Sequence, residues 1–122
     1  MMADILLIED NSEHLELLAE TLRFGGHTPY SAKNTEIANE IISKNKIDLM
    51  ILDISLPGMS GFDFVELLQK KGKKIPFIVV TGSLNHKDKQ KAKNLRAVAY
   101  FTKPIDPEKI LQRIKNSIKN QN

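Results

Sequence analysis

The 122-residue chain contains no cysteine. That excludes a disulfide framework and any thiolate metal site, and it is compatible with a reducing compartment. Long apolar runs are also missing. The N-terminal segment MMADILLIED has no basic leader region, and its apolar run is too short for a signal peptide or a membrane span. The expectation is therefore a cytoplasmic protein without membrane attachment. There is no internal repeat, low-complexity tract or linker, and 122 residues suffice for one core and no second. One domain over residues 1–122 is expected, with no output domain following it. The KNQN tail is expected to fray.

What is present is an ordinary globular composition, 41% hydrophobic and 27% charged, with charge placed unevenly. Residues 1–84 carry 12 acidic and 8 basic side chains, whereas residues 85–122 carry 3 acidic and 10 basic. Such asymmetry suggests an acidic site in one part of the fold and a basic face in another.

Four short apolar runs have strand length: DILLI (4–8), DLMILD (48–53), PFIVV (76–80) and VAYF (98–101). The first three are too continuously apolar for a strand with one wet face, and fit central strands of a parallel sheet covered on both sides. HTPYSA (27–32) is a weaker fifth run, and its Pro29 suits an edge strand. Helical periodicity separates the runs. Residues 12–24 place Leu15, Leu18 and Leu22 on one face, with Ser12 as N-cap and Gly25-Gly26 as terminator. Residues 34–44 offer Ile37, Ile41 and Ile42 after Asn34. Residues 61–70 offer Phe64, Val65, Leu67 and Leu68. Residues 107–119 offer Ile110, Leu111, Ile114 and Ile118, with Pro107 suited to a first turn. Residues 85–95 differ, since only Ala92 and Leu95 are apolar. That segment is either a loosely held helix or one docked by a narrow stripe. Strand and helix alternate five times, which implies a doubly wound α/β sandwich of three layers around a parallel sheet.

Ligands of open α/β sheets bind beyond the carboxyl ends of the strands. The residues there are Glu9-Asp10 after the first strand, Asp53 at the end of the third, Thr81 at the end of the fourth, and Thr102-Lys103-Pro104 after the fifth. If the first and third strands are neighbours, three carboxylates meet. Three close carboxylates demand protonation or a cation, and an all-oxygen set favours a hard ion such as Mg2+, or Mn2+ in its place. A metal, the Lys103 cation and the Thr81 hydroxyl are equipment for stabilising a transferring phosphoryl group. Asp53, between them, is the candidate nucleophile. Taken singly, each feature has an ordinary explanation as a cap, turn or solvated loop. Their occurrence at successive strand ends is what carries the reading.

With those residues in place, the chain closely resembles the receiver domain of two-component response regulators, over about Asp4 to Ile118. The matching residues are Glu9-Asp10, Asp53 in LMILDISLPGMSG, Thr81 in VVTG, and Lys103-Pro104 in YFTKP, with Tyr100 matching the family's switch aromatic. The resemblance implies a flavodoxin-like fold with strand order 2-1-3-4-5, the order that a chemotaxis regulator of this family exemplifies. It implies that Asp53 accepts phosphate from a phosphohistidine on a sensor histidine kinase or histidine phosphotransfer protein. It implies Mg2+ held by Asp10, Asp53 and the backbone carbonyl of Ser55, with Glu9 acting mainly through water. Lys103 would pair with the phosphoryl group, Thr81 would move to hydrogen-bond it, and Tyr100 would turn inward, altering the surface of the fourth helix, fifth strand and fifth helix. A cis Lys103-Pro104 bond belongs to the same pattern. The chain would act as a switch rather than an enzyme on other substrates, as a monomer or a phosphorylation-dependent dimer.

The departures from that pattern are few. Glu9 replaces the commoner Asp, Ser60 stands where Asp is frequent, and Arg96 occupies a turn position usually held by Gly. Ser55 and Ser83, two residues beyond Asp53 and Thr81, flank the phosphoryl position. The nine basic residues from Lys87 to Lys119 other than Lys103 lie on the elements that the family uses for targets. They point to an acidic protein partner ahead of nucleic acid, because stacking aromatics are absent from segment 85–95. Three other readings fit less well. A Mg2+-dependent phosphatase with an Asp nucleophile needs a second Asp where Ser55 stands. A flavodoxin-like electron carrier needs a hydroxyl- and glycine-rich loop where EDNSEH stands. A phosphorylation-independent interaction module has no use for the intact acidic pair, Asp53, Thr81 and Lys103.

Overall fold

Leu and Ile fill every position after Asp4 in the first apolar run, and that run becomes a strand paired on both sides. In a computed structural model, which describes residues 2–119, strand β1 (Asp4–Ile8) lies between β2 (Thr28–Ala32) and β3 (Leu49–Leu52). Strands β4 (Phe77–Thr81) and β5 (Ala99–Thr102) continue the sheet beyond β3, so all pairs are parallel and the order is 2-1-3-4-5. Each expected strand is present within a residue of its sequence bounds. Pro29 sits opposite Ile5 in the edge strand β2, where its missing donor costs no inner ladder bond. The end of the KNQN tail lies outside the described residues.

Alternation along the central strands sorts side chains between two layers. Leu6, Ile8, Met50, Leu52, Phe77 and Val79 face one side, where they pack with Ala38, Phe64, Val65, Leu68 and Ala92. Those last residues come from α2 (Thr35–Lys44), α3 (Gly61–Lys70) and α4 (His86–Asn94). Ile5, Leu7, Leu49, Ile51, Ile78 and Val80 face the other side, against Leu15, Leu18 and Leu22 of α1 (Ser12–Phe24) and Ile110 and Ile114 of α5 (Pro107–Lys119). Complete burial of one such Leu or Ile contributes roughly 1.5–3 kcal/mol. This is why runs apolar at every position become inner strands.

The helix ends follow local chemistry. Helix α1 is capped by Asn11, whose side chain accepts the His14 N–H, and not by Ser12 as the sequence suggests. Ser12 is the first helical residue, and the amide oxygen one position earlier has the reach to the first turn. Asn34 and Ser60 cap α2 and α3 in the same way. Helix α2 buries Ala38 fully and Ile41 and Ile42 in part, but leaves Ile37 38% exposed. The small residue, not the β-branched one, sits nearest the sheet. Helices α1, α3 and α4 end alike. The second residue beyond the helix is left-handed, and its N–H and that of the next residue return to the last turn. Gly26 and Gly72 hold that position after α1 and α3, whereas Arg96, with φ of 67°, holds it after α4. A side chain there costs about 1 kcal/mol, so the entry to β5 is the least relaxed of the three turns.

His27, in the turn between α1 and β2, is buried with its Nδ1 unpartnered. Burial, and secondarily the positive N-terminus, lowers its pKa from the ordinary 6.5. The neutral ring is favoured in the folded chain, so its contribution is complete above the unfolded value and is lost as pH falls through the folded one. Stability measured by urea unfolding is expected to decline between about pH 7 and pH 5. His27→Leu is expected to flatten that decline, and an unchanged slope would place the acid sensitivity elsewhere.

Candidate functional site

The ladders that align the sheet also deliver the polar residues. The Asp53 N–H donates to the Ile8 carbonyl at 3.0 Å, extending the β1–β3 pairing by one residue and setting Asp53 beside the β1 end. The Glu9 N–H donates to the Ala32 carbonyl at 3.0 Å, and the Lys103 N–H to the Thr81 carbonyl at 2.8 Å. The loop after β3 is pressed against the start of α3. A Cβ on Gly61 would lie 2.6 Å from the Asp53 carbonyl oxygen, so only glycine fits where the helix leaves the loop.

These constraints bring together residues distant in the chain. Glu9 and Asp53 are buried, at 5% and 7% exposure, while Asp10 is exposed. Carboxylate oxygens of Glu9, Asp10 and Asp53 lie within 4.8 Å of one another. Lys103 crosses from the β5 end, and its Nζ donates to Glu9 Oε1 at 2.5 Å and to Asp53 Oδ2 at 2.9 Å. The other Asp53 oxygen accepts the Ser55 N–H at 2.9 Å. Burial by itself would lower the Lys103 pKa, but hydrogen bonds to Glu9 and Asp53, with their negative charge, outweigh it and raise the value above 10.5. The group therefore remains an ammonium across the neutral range.

Thr81 is fully buried at the end of β4, and its Oγ1 accepts the Ser83 N–H at 3.0 Å. Ser83 in turn ties the loop to α4, donating its hydroxyl to Asp88 Oδ2 at 2.6 Å and accepting the Asn85 N–H at 3.1 Å. Tyr100 is half-buried in β5 and packs toward the α4 side of the core, with its hydroxyl shielded and unpartnered. Burial, followed by the negative charge of Asp88, raises its pKa above 10.0. The Lys103-Pro104 bond is cis. Thus Glu9, Asp10, Asp53, Ser55 and Lys103 form one connected cluster. Thr81 joins it through the Lys103 backbone, and Tyr100 belongs to the α4–β5 side.

Three features escaped the sequence. His14, in the first turn of α1, reaches Lys103 Nζ at 3.2 Å and Glu9 Oε1 at 3.3 Å. The Ser83–Asp88 bond links the Thr81 loop to α4. A crevice of about 220 Å³ opens beside Asp53 and Lys103, walled by Leu17 and Leu18 of α1 and by Ile105 and Ile110. The signal for the first lay in Asn11, whose capping of α1 aims the helix's first turn at the acidic pair. The other two depend on packing that no local pattern encodes.

An all-oxygen cluster beside one fixed ammonium suits a hard divalent cation, because the carboxylates outnumber the positive charge. The same ammonium donates to one Asp53 oxygen at 2.9 Å.

The chain is similar to known proteins over nearly its whole length. The response regulator receiver domain family matches residues 5–115. The chain is 34% identical over 120 residues to the probable transcriptional regulator ycf29 of Porphyra purpurea, covering 97% of this chain and 57% of that one. It is 31% identical over 117 residues to the response regulator SaeR of Staphylococcus aureus, covering 94% of this chain and 50% of that one. It therefore spans about half the length of these curated relatives. Among solved structures, a CheY-like response regulator receiver domain protein from Methanospirillum hungatei JF-1 superposes with a TM-score of 0.90, at 27% identity, covering 99% and 97% of the two chains. The non-phosphorylated HemR receiver domain of Leptospira biflexa gives 0.85 at 31% identity, covering 95% and 94%.

Replacing Lys103 by Met leaves the buried Glu9 and Asp53 carboxylates without their cation. The expected loss of stability at neutral pH is about 3 kcal/mol, measured by urea unfolding. The Lys103 contribution is complete below the unfolded value of 10.5 and lost as pH rises through the higher folded value. The wild-type advantage should therefore shrink only in strong alkali. An unchanged midpoint for Lys103→Met would show that the ion pairs contribute nothing net.

Proposed function

The chain belongs to the response regulator receiver family of two-component systems, and on that premise we propose that Asp53 accepts a phosphoryl group from a phosphohistidine. The observation that carries this is the Asp53 carboxylate at the open end of β3, held by Lys103 Nζ on one oxygen and the Ser55 N–H on the other, with Glu9 and Asp10 beside it. In the reaction an Asp53 oxygen attacks phosphorus and the bond from phosphorus to the donor's imidazole nitrogen breaks. The imidazole leaves with the bonding pair. The donor is the phosphorylated histidine of a sensor kinase or a phosphotransfer protein.

Asp10, Asp53 and the Ser55 carbonyl would hold Mg2+, or Mn2+, which when bound offsets negative charge on the phosphoryl oxygens. Glu9 is engaged by Lys103, which fits a less direct part in metal binding. Lys103 supplies a fixed cation, and the Thr81 hydroxyl is a donor that can turn toward the phosphoryl group.

In this reading residues 1–122 form one receiver domain, and its output is a change in the surface of α4, β5 and α5. A Thr81 hydroxyl that turns toward the phosphoryl group gives up the Ser83 N–H, and Ser83 is bound to α4 through Asp88 and Asn85. Helix α4 is the element suited to respond. Its only fully buried side chain is Ala92, and its lysines are exposed. Tyr100 lines the groove beside it with His86, Lys89 and Lys93. A face so rich in lysine favours an acidic protein partner.

Beryllofluoride, a phosphoryl mimic, separates these statements. Amide NMR spectra of the wild-type chain are expected to shift around Asp53, Thr81 and Tyr100 only when beryllofluoride and Mg2+ are both present. Asp53→Asn is expected to remove the response. Shifts that persist in Asp53→Asn would overturn the assignment of the acceptor. Shifts confined to the Asp53 loop would overturn the proposed switch while leaving the acceptor in place.

A further inference from the structure

The Lys103 ammonium has three N–H donors and no acceptor. Two of them are used by Glu9 Oε1 and Asp53 Oδ2, and the third position is filled by His14 Nδ1 at 3.2 Å. His14 Nδ1 also lies 3.3 Å from Glu9 Oε1. It can satisfy only one of these neighbours. Donating to Glu9 would aim an N–H into the space between the carboxylate and a cation that already serves it. It would also leave the third ammonium proton facing another donor. Accepting from Lys103 satisfies all three ammonium protons and leaves Nε2–H directed elsewhere on a half-exposed ring.

The placement is a consequence of local structure. The Asn11 side chain accepts the His14 N–H at 3.0 Å, which fixes the first turn of α1 directly after the acidic pair. The Lys103 N–H bond to the Thr81 carbonyl fixes the other partner's backbone. Two elements that share no strand pairing are thus joined across the mouth of the site by an imidazole and an ammonium.

We infer that His14 is a positioning residue for Lys103: its Nδ1 lone pair is the third acceptor that holds the ammonium over Asp53. When an incoming phosphoryl group competes for Lys103, the hydrogen bond to His14 keeps one proton of the ammonium tied to α1, so the cation pivots instead of swinging into solvent. The consequence for phosphoryl transfer rests on the function proposed above. The hydrogen bond itself does not.

The test uses the whole chain in its unphosphorylated form, at about pH 8, above the ordinary imidazole range. Nitrogen-15 NMR of the His14 ring should show the tautomer protonated at Nε2. The Lys103 ammonium protons should exchange slowly enough with water to be seen. In His14→Leu that ammonium signal should be lost. In His14→Asn, whose amide oxygen can take the place of Nδ1, it should return. Initial rates of Asp53 phosphorylation from acetyl phosphate should follow the same order, several-fold slower in His14→Leu and restored in His14→Asn, with the Mg2+ dependence unmoved.

Protonation of His14 at Nδ1, or a Lys103 signal unchanged in His14→Leu, would overturn the inference. So would a His14→Asn chain that folds but behaves as His14→Leu. If the NMR results hold while the wild-type chain takes no phosphoryl group, the hydrogen bond stands and the proposed function falls.

Discussion

Two buried carboxylates share one ammonium, and the rest of the molecule is arranged around that fact. Glu9 and Asp53 come from adjacent strands and lie almost out of water, where like charges repel strongly. Lys103, 50 residues beyond Asp53 in the chain, closes the gap between them. The backbone sets all three at strand ends, and the Lys103 side chain spans the remaining distance. Each is delivered by a backbone bond that prolongs a strand ladder past its end, and the sheet's two apolar layers keep those ladders in register. The fold is thus the means of concentrating negative charge around a single cation without letting the site collapse or hydrate. In the proposed function, a divalent cation would meet the carboxylates and a phosphoryl oxygen the ammonium of a cluster already organised.

Rigidity is unevenly distributed around this centre. On the α1 and α5 side, helices bury Leu15, Leu18, Leu22, Ile110 and Ile114 against the sheet, and on the opposite side Gly61 locks the Asp53 loop to α3. Helix α4 itself fully buries one alanine, Ala92, and its exposed surface is lysine-rich. Lys91 lies 5.5 Å above the Phe62 ring and 4.0 Å from Glu66, contacts that are weak at the surface. The Gln69 side chain donates to the Leu95 carbonyl at 3.1 Å. The left-handed Arg96 adds a modest local cost at the entry to β5. The helices around the charged site and helix α4 thus differ in how much they bury.

Much of this was legible in the sequence, for identifiable reasons. Runs such as DILLI and LMIL are apolar at every position, and only strands covered on both faces ask for that. Once the alternation of strand and helix fixes a parallel sheet, polar residues at strand ends converge by geometry. Glu9, Asp10, Asp53, Thr81 and Lys103 could therefore be named before any contact was known. Arg96 was also visible as a departure, and it holds the left-handed position that Gly26 and Gly72 hold elsewhere. What was not legible depends on side-chain reach. Asn11 rather than Ser12 caps α1, Ala38 rather than Ile37 faces the sheet, and His14 leans across to Lys103. The first two turn on a shift of a single residue and the third on side-chain reach, which periodicity does not resolve.

The central claim is that charge gathered at the end of β3 serves to receive a phosphoryl group on Asp53. The most direct measurement is to load a histidine phosphotransfer protein with phosphate and mix it with this chain and Mg2+. The product is then reduced with borohydride, and the modified residue is located by peptide mass spectrometry. The expected result is a single Mg2+-dependent modification, an acyl phosphate reduced at Asp53, with none in Asp53→Asn. Modification at another residue, or equal modification of Asp53→Asn, would contradict it.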